Sequence, residues 1–252
     1  MHSRPRADAP RSTDLVVPLY RERGGLDRLI RALGAVHGSL PAARVVFVDD
    51  GSPDGSGDLA AELAAEGLPP GSWTLLRHRR NLGLSQALAT GSLAGRGEAV
   101  LWLDADLSYE AEVLPRLVEA LADGADLALA SPYAPGGGTE GVPPSRLLLS
   151  RGLSRAWSML YRRDLHTWSS MVRAWRRPLL LRCLPSRPRH LGVVESLVRA
   201  VQGGARVVEV PAVLRGRREG RSGIRVLPTI LGQVAMLAEA TTRGLDGPEA
   251  RA

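Results

Sequence analysis

Between Thr13 and Ser131 the chain alternates five short apolar runs with four longer amphipathic ones, a rhythm that restricts the fold more than any other feature. "TDLVVPLY", "ARVVFVDD", "WTLLRH", "AVLWLD" and "DLALAS" have the length and character of strands. Between them "GGLDRLIRALGAVHG", "DLAAELAAEG", "LSQALATGSLAG" and "EAEVLPRLVEALADG" read as helices. Strand–helix units of this length predict parallel strands joined by right-handed crossovers. Nearly continuous apolar strands agree, because a parallel sheet is covered on both faces. The predicted class is α/β.

The second half is less regular. "PYAPGGGTEGVPP" reads as a loop, "SRLLLSRGLSRAWSMLY" as a helix, "TWSSMVRAW" as a strand, "LGVVESLVRAVQGG" as a helix and "ARVVEVPAVL" as a strand. The basic loop "RGRREGRSG" precedes a last helix expected to start at Pro228. No repeat or long linker calls for a second domain. One domain is therefore expected over residues 13–240, with halves at 13–131 and 132–240, between flexible tails at 1–12 and 241–252. The opening "MHSRPRADAPRS" lacks the apolar centre of a signal peptide.

Charge separates the halves. Residues 1–144 hold 13 Arg and 19 Asp or Glu, a balance of −6, whereas residues 145–225 hold 18 Arg and 4 acids, a balance of +14. No Lys occurs. This asymmetry points to a phosphate-rich partner such as a nucleotide, an anionic lipid or a nucleic acid. Aromatics make up only 4% of the chain, which argues against single-stranded nucleic acid, and no nucleic-acid partner is expected. No apolar run is long enough to span a membrane. The nearest, "IRVLPTILGQVAMLAEA", is interrupted by Arg225, Pro228, Gln233 and Glu239 and reads as a packed helix. Lone Cys183 suits a reducing, cytoplasmic setting.

Ligands of open α/β sheets bind at the carboxyl ends of the strands. Three acidic clusters fall there: Glu22, the pair Asp49 and Asp50, and the pair Asp104 and Asp106. A lone carboxylate at such a place is a cap or turn residue, which is the reading for Asp54 and Asp58. Three clusters on one edge repel each other unless a cation joins them. Oxygen-only ligands point to Mg2+ or Mn2+. An Asp-x-Asp at a strand end can grip a metal that bridges the diphosphate of a nucleotide.

Several segments in order make the pattern specific: "VVPLYRE", "VVFVDDGSPDGS", "NLGLSQALATG", "LWLDADLSYEAEVLPRLVEAL", "SPYAPGG", "SRLLLS", "LHTWSSMVRAWRR" and "EVPAVLRGRREGRSG". From about residue 13 to about residue 225 the chain resembles glycosyltransferase family 2, in its dolichyl-phosphate mannose synthase-like branch. The resemblance implies a GT-A fold, a Rossmann-like and mostly parallel sheet flanked by helices. It also implies inverting transfer of a sugar from GDP-mannose or a UDP-sugar to a polyprenyl or dolichyl phosphate, with Mg2+ or Mn2+. Membrane contact would come from the Arg-rich face or from a separate membrane partner, at the cytoplasmic surface.

By the same resemblance Pro18, Tyr20, Glu22, Val48, Asp50 and Ala105 line the nucleotide, with Asp50 bonding the base. Asp104 and Asp106 meet the metal and diphosphate, Arg146 and Ser150 hold the acceptor phosphate, and Arg217 and Ser222 belong to a loop that closes over the phosphates. Four positions depart from the pattern. Arg21 stands where Asn is usual, Pro132 where an Arg would bind phosphate, Ser108 where Gln often assists the metal, and "HTWSSMVRAW" replaces "TSGFRA".

The candidate catalytic residues are Asp106 and Glu195. A hydroxyl acceptor needs a base, and Glu195 is the carboxylate of the second half best placed to be one; its alternative is a salt bridge to Arg199 at i+4. A phosphate acceptor is already an anion and needs no base. His78 and His190 read as loop or surface residues, His166 as a better site candidate, and Trp168 as packing or as a flank of the acceptor. Three other functions are consistent with parts of the sequence. They are transfer to a hydroxyl acceptor, a haloacid dehalogenase-type phosphatase with Asp104 as nucleophile, and a degenerate transferase kept as a binding protein.

Overall fold

The computed structural model describes residues 8–216 and 226–243. Chain order runs β1 (Thr13–Leu19), a 3-10 turn (Arg23–Gly25), α1 (Leu26–His37), β2 (Ala43–Asp49), α2 (Ser56–Gly67), β3 (Trp73–Arg77), α3 (Leu84–Ala94) and β4 (Ala99–Trp102). It continues with α4 (Val113–Ala122), β5 (Leu127–Ser131), β6 (Gly138–Glu140), α5 (Pro144–Tyr161), β7 (Arg173–Arg176) and α6 (Arg177–Arg182). The remaining elements are α7 (Leu191–Gln202), β8 (Val207–Pro211), β9 (Val213–Arg215) and α8 (Val226–Arg243).

Seven strands form one sheet in the order β3-β2-β1-β4-β7-β5-β8, and β6 pairs with β9 in a separate ribbon. All pairings of the large sheet are parallel except those of β7, which runs antiparallel to both β4 and β5. The five strands of the first half therefore share a direction. Because β7 lies between β4 and β5, both halves of the sequence build the same sheet.

Alternation along the strands sends side chains into two cores. Leu15, Val17, Phe47 and Leu101 meet α1, α2 and α4 on one face. Val16, Val46, Val48 and Trp102 meet α3, α7 and three more tryptophans on the other. Helix α3 lies unusually close to the sheet at Gly91, where a Cβ would stand 2.4 Å from Val16 Cγ1 and 2.9 Å from Val48 Cγ2. Only glycine fits there.

The second half departs from the sequence reading in three places. Of "TWSSMVRAW" only the last three residues are strand, in β7, because the Arg173 guanidinium folds the preceding segment back on itself. "ARVVEVPAVL" splits at Ala212 into two strands that join different sheets. The Gly/Pro-rich loop contains β6, and the last helix begins at Val226 rather than Pro228. Among the described residues no helix is long and apolar enough to cross a membrane.

Candidate active site

Strands β2, β1 and β4 are neighbours, so the clusters at Asp49–Asp50, Tyr20–Glu22 and Asp104–Asp106 come out on one edge of the sheet. Pro18 and Val48 are paired across β1 and β2 just below them, and Ala105 is buried between the two aspartates.

Asp50 is almost fully buried, and its carboxylate organises the adjoining loop. Oδ1 accepts the Leu82 amide at 2.8 Å and Oδ2 the Gly83 amide at 2.8 Å. His78 Nδ1 lies 2.7 Å from Oδ1, and its Nε2 lies 3.0 Å from the Thr90 hydroxyl. An ionised carboxylate only accepts, so Nδ1 carries the hydrogen. His78, in the loop that follows β3, is thus a largely buried brace of Asp50. Gly51, at φ +68°, permits the loop to approach, since a Cβ there would stand 2.6 Å from the Arg80 carbonyl carbon.

The Asp-x-Asp turn is equally constrained. Asp106 Oδ1 accepts both the amide (2.9 Å) and the hydroxyl (2.7 Å) of Ser108, while Arg28 of α1 donates to the Asp106 carbonyl. Ser108, where the related pattern has Gln, therefore orients the second aspartate directly. Leu107 between them adopts φ +51°, a left-handed conformation that costs a branched residue energy and recurs at functional sites. Arg215 of β9 donates its amide to the Ser108 carbonyl at 2.8 Å and pairs with Glu110 and Glu140. The ribbon strand is thereby fastened to the Asp-x-Asp turn two residues before Arg217. Arg217 and Ser222 themselves lie outside the described residues.

Arg21 sits at φ +58° with its guanidinium 5.5 Å from the Tyr20 ring. Asn tolerates this conformation far better than Arg, which gives a physical reason for the usual residue. The Glu22 amide donates to Ser56 Oγ at 3.0 Å, tying the end of β1 to the start of α2. Asp54 and Asp58 behave as turn and surface residues, bonding Ser56 and Arg77.

On the other side of the edge, Arg146 and Ser150 lie on α5, Arg146 exposed and Ser150 half-buried. Burial, and then the charges of Arg173 and Arg146, hold the His190 imidazole below its usual range, against a hydrogen bond with the Ser169 carbonyl. The Tyr109 phenol is pushed up, first by burial and then by Asp104, Tyr133 and Glu209, against a hydrogen bond with Ser170. Arg151 of α5 stacks 4.8 Å above the Tyr133 ring. Tyr109 and Tyr133 thus join the Asp104 side of the edge to α5. Neither was singled out from the sequence, although both aromatics lie within the segments that carry the resemblance, in a chain poor in them.

Glu195 makes the salt bridge to Arg199 that was its alternative reading. Its carboxylate accepts the Ser186 amide, the Ser186 hydroxyl and the Arg187 amide, each at 2.8 Å, and pairs with Arg199 at 2.9 Å and Arg187 at 3.7 Å. Those contacts brace α7 against the 184–187 loop and account for Glu195 without proton transfer. Glu209 is similarly engaged, by the His166 and Thr167 amides and by His166 Nδ1. Trp168 is buried in a stack with Trp157 and Tyr161.

Among the described residues no three His, Cys, Asp or Glu converge as a ready metal cage. Two aspartates one residue apart nevertheless suit Mg2+ or Mn2+, which bind through one or two carboxylates with waters and substrate phosphates completing the shell.

Residues 14–177 match the glycosyl transferase family 2 model. The chain belongs to glycosyltransferase family 2. This glycosyltransferase is 36% identical over 216 residues to the polyprenol monophosphomannose synthase of Mycolicibacterium smegmatis, covering 83% of this chain and 80% of that protein. It is 35% identical over 214 residues to the undecaprenyl-phosphate mannosyltransferase of Micrococcus luteus, covering 82% and 85%. These relatives place the glycosyltransferase in the dolichyl-phosphate mannose synthase-like branch, and Asp104 is not a phosphatase nucleophile. The glucosyl-3-phosphoglycerate synthase of Mycobacterium tuberculosis, solved with Mn2+, UDP and glucosyl-3-phosphoglycerate, superposes with a TM-score of 0.69 at 18% identity, covering 94% of this chain and 81% of that one. At that identity the likeness concerns the GT-A fold alone.

Proposed function

We propose that this glycosyltransferase moves a sugar from a nucleotide-sugar, GDP-mannose or a UDP-sugar, to a polyprenyl or dolichyl phosphate. The carrying observation is the fate of the carboxylates in the second half. Glu195 and Glu209 are both consumed by amides and by Arg or His partners, while Arg residues dominate the surroundings. That setting suits an acceptor which arrives as an anion and needs no proton removed. The names of the relatives support the same acceptor class.

In this reading Pro18, Tyr20, Glu22, Val48 and Ala105 line the nucleotide and Asp50, held by His78 and two amides, meets the base. Asp104 and Asp106 would hold Mg2+ or Mn2+, which when bound neutralises charge on the leaving diphosphate. Ser108 fixes the Asp106 carboxylate before any ligand arrives, so that orientation is preorganised. Arg146 and Ser150 hold the acceptor phosphate, whose oxygen attacks the anomeric carbon opposite the departing nucleotide. Arg217 and Ser222 are assigned to the phosphates through the resemblance.

The test is a panel of GDP- and UDP-sugars incubated with a polyprenyl phosphate and read by product mass. A glycosyl phosphoprenol that EDTA suppresses supports the reading. A sugar delivered only to hydroxyl acceptors would replace it with the hydroxyl-acceptor alternative.

A further inference from the structure

His166 lies in the segment that leads into β7, and the sheet fixes where that segment arrives. Because β7 runs antiparallel, its first residue, Arg173, pairs with Trp102 at the end of β4 and with Leu129 of β5. Leu129 pairs in turn with Glu209 of β8. These four residues form one row across the sheet, so the chain before Arg173 comes in at the edge that carries Asp104 and Asp106. Burial, then Asp104, Tyr133 and Glu209, push up the Tyr109 phenol, so the Asp104 and Glu209 charges act on one buried ring.

Glu209 turns its carboxylate into this segment. Oε2 accepts the His166 amide at 2.9 Å and lies 2.7 Å from His166 Nδ1, while Oε1 accepts the Thr167 amide at 2.8 Å. The Glu209 side chain is 7% exposed and the His166 side chain 41%. Among the described residues no arginine reaches this carboxylate, and none of them bonds His166 Nε2. Two main-chain amides already brace the segment, so the imidazole adds a contact that the fold does not call for. An ionised carboxylate only accepts, so Nδ1 carries a hydrogen. A ring held this way has two uses. As imidazolium it donates from both nitrogens, and Nε2–H meets an anion. As neutral imidazole it keeps an Nε2 lone pair, which takes a proton from a hydroxyl.

We propose that His166 is an anion contact for the acceptor, its imidazolium donating from Nδ1 to Glu209 and from Nε2 to the acceptor phosphate. The choice of imidazolium over neutral base rests on the phosphate acceptor proposed above, which calls for a donor. Glu209 is then a positioning residue that acts through the ring. The other titratable and charged groups around the segment are His190, which bonds the Ser169 carbonyl, Tyr109, and Arg162, Arg163 and Asp164 at the end of α5. All of them stay the same when His166 alone is replaced, so a pH-dependent difference between wild type and variant belongs to the His166 ring.

The test compares the full-length wild type with His166→Gln on a short, water-soluble prenyl phosphate at pH 6 and pH 9, on either side of the usual imidazole pKa of about 6.5. Glutamine keeps a donor for Glu209 but cannot carry the charge. KM for the prenyl phosphate should rise about tenfold at pH 6 and less than about twofold at pH 9, with the donor KM unchanged at both. The urea midpoint should match wild type, because both amides on Glu209 are main-chain groups. An equal loss at the two pH values marks a structural role and overturns the contact, as does no loss at either. A loss that is larger at pH 9 makes His166 a base for a hydroxyl and overturns it as well. Wild-type transfer to hydroxyl acceptors alone removes the acceptor reading and the phosphate contact with it. Wild-type transfer to prenyl phosphate with His166→Gln unimpaired removes the contact and keeps the acceptor.

Discussion

At the ends of β2 and β4 the carboxylates of Asp50 and Asp106 are each braced by amides, a hydroxyl or an imidazole. Along α5 the arginines are exposed, stacked on a ring or gathered around an open hollow that Asp164 also lines. One flank holds its carboxylates in a fixed geometry. The other is a positively charged surface whose partner comes from outside. Such a division suits an enzyme that binds a small soluble donor on a rigid sheet edge and meets its acceptor on a surface.

Removing a braced carboxylate should give the largest effect. Asp106→Ala should lower transfer on the order of a thousandfold with the circular-dichroism spectrum unchanged. Retained activity would mean that the edge is not where the donor is activated. Next comes Arg173, fully buried at the junction of the two flanks, which donates to the carbonyls of Trp168, Ser170 and Val193. Burial lowers its guanidinium to about 9, and the charge persists because three carbonyls surround it. Arg173→Ala should cost about 3–5 kcal/mol in urea unfolding, since three buried carbonyls lose their donor. A loss below about 1 kcal/mol would show that the acceptor side does not hang on this residue.

Arg146→Ala should raise KM for a polyprenyl phosphate roughly tenfold and leave donor hydrolysis unchanged, as loss of one charge-assisted contact predicts. If both change together, Arg146 serves the donor as well. His190 supplies a pH test of the same region. Its folded-state pKa lies below the usual 6.5, so beneath that pH the unfolded chain takes up a proton that the folded chain refuses. Stability should therefore fall as pH drops from about 6.5, and His190→Gln should flatten that slope in urea midpoints. The smallest effect belongs to Arg21→Asn, which should gain about 1 kcal/mol by relieving the left-handed arginine.

Legibility in the sequence followed the same division. Strand-end carboxylates can be located from periodicity, because a parallel βα unit fixes which end of each run faces the ligand. Asp50, Asp104 and Asp106 were found that way, and the sheet order then brought them together. The direction of β7 could not be read, since four residues of "RAWR" carry no mark of polarity and their place between β4 and β5 is a tertiary outcome. The brace on Asp50 was equally hidden: His78 lies 28 residues away and is paired through the ladder of β2 and β3. Glu195 was legible only in part for a related reason. Its i+4 partner was visible, but the two amides that complete its shell come from a loop 8 and 9 residues upstream.

The most direct measurement is calorimetric titration of GDP and of UDP, with Mn2+, into the wild type, Asp106→Ala and Arg146→Ala. The carboxylate edge as the donor site predicts that one nucleotide binds the wild type and Arg146→Ala alike, and that binding disappears in Asp106→Ala and in EDTA. Equal nucleotide binding by wild type and Asp106→Ala, indifferent to EDTA, would contradict it.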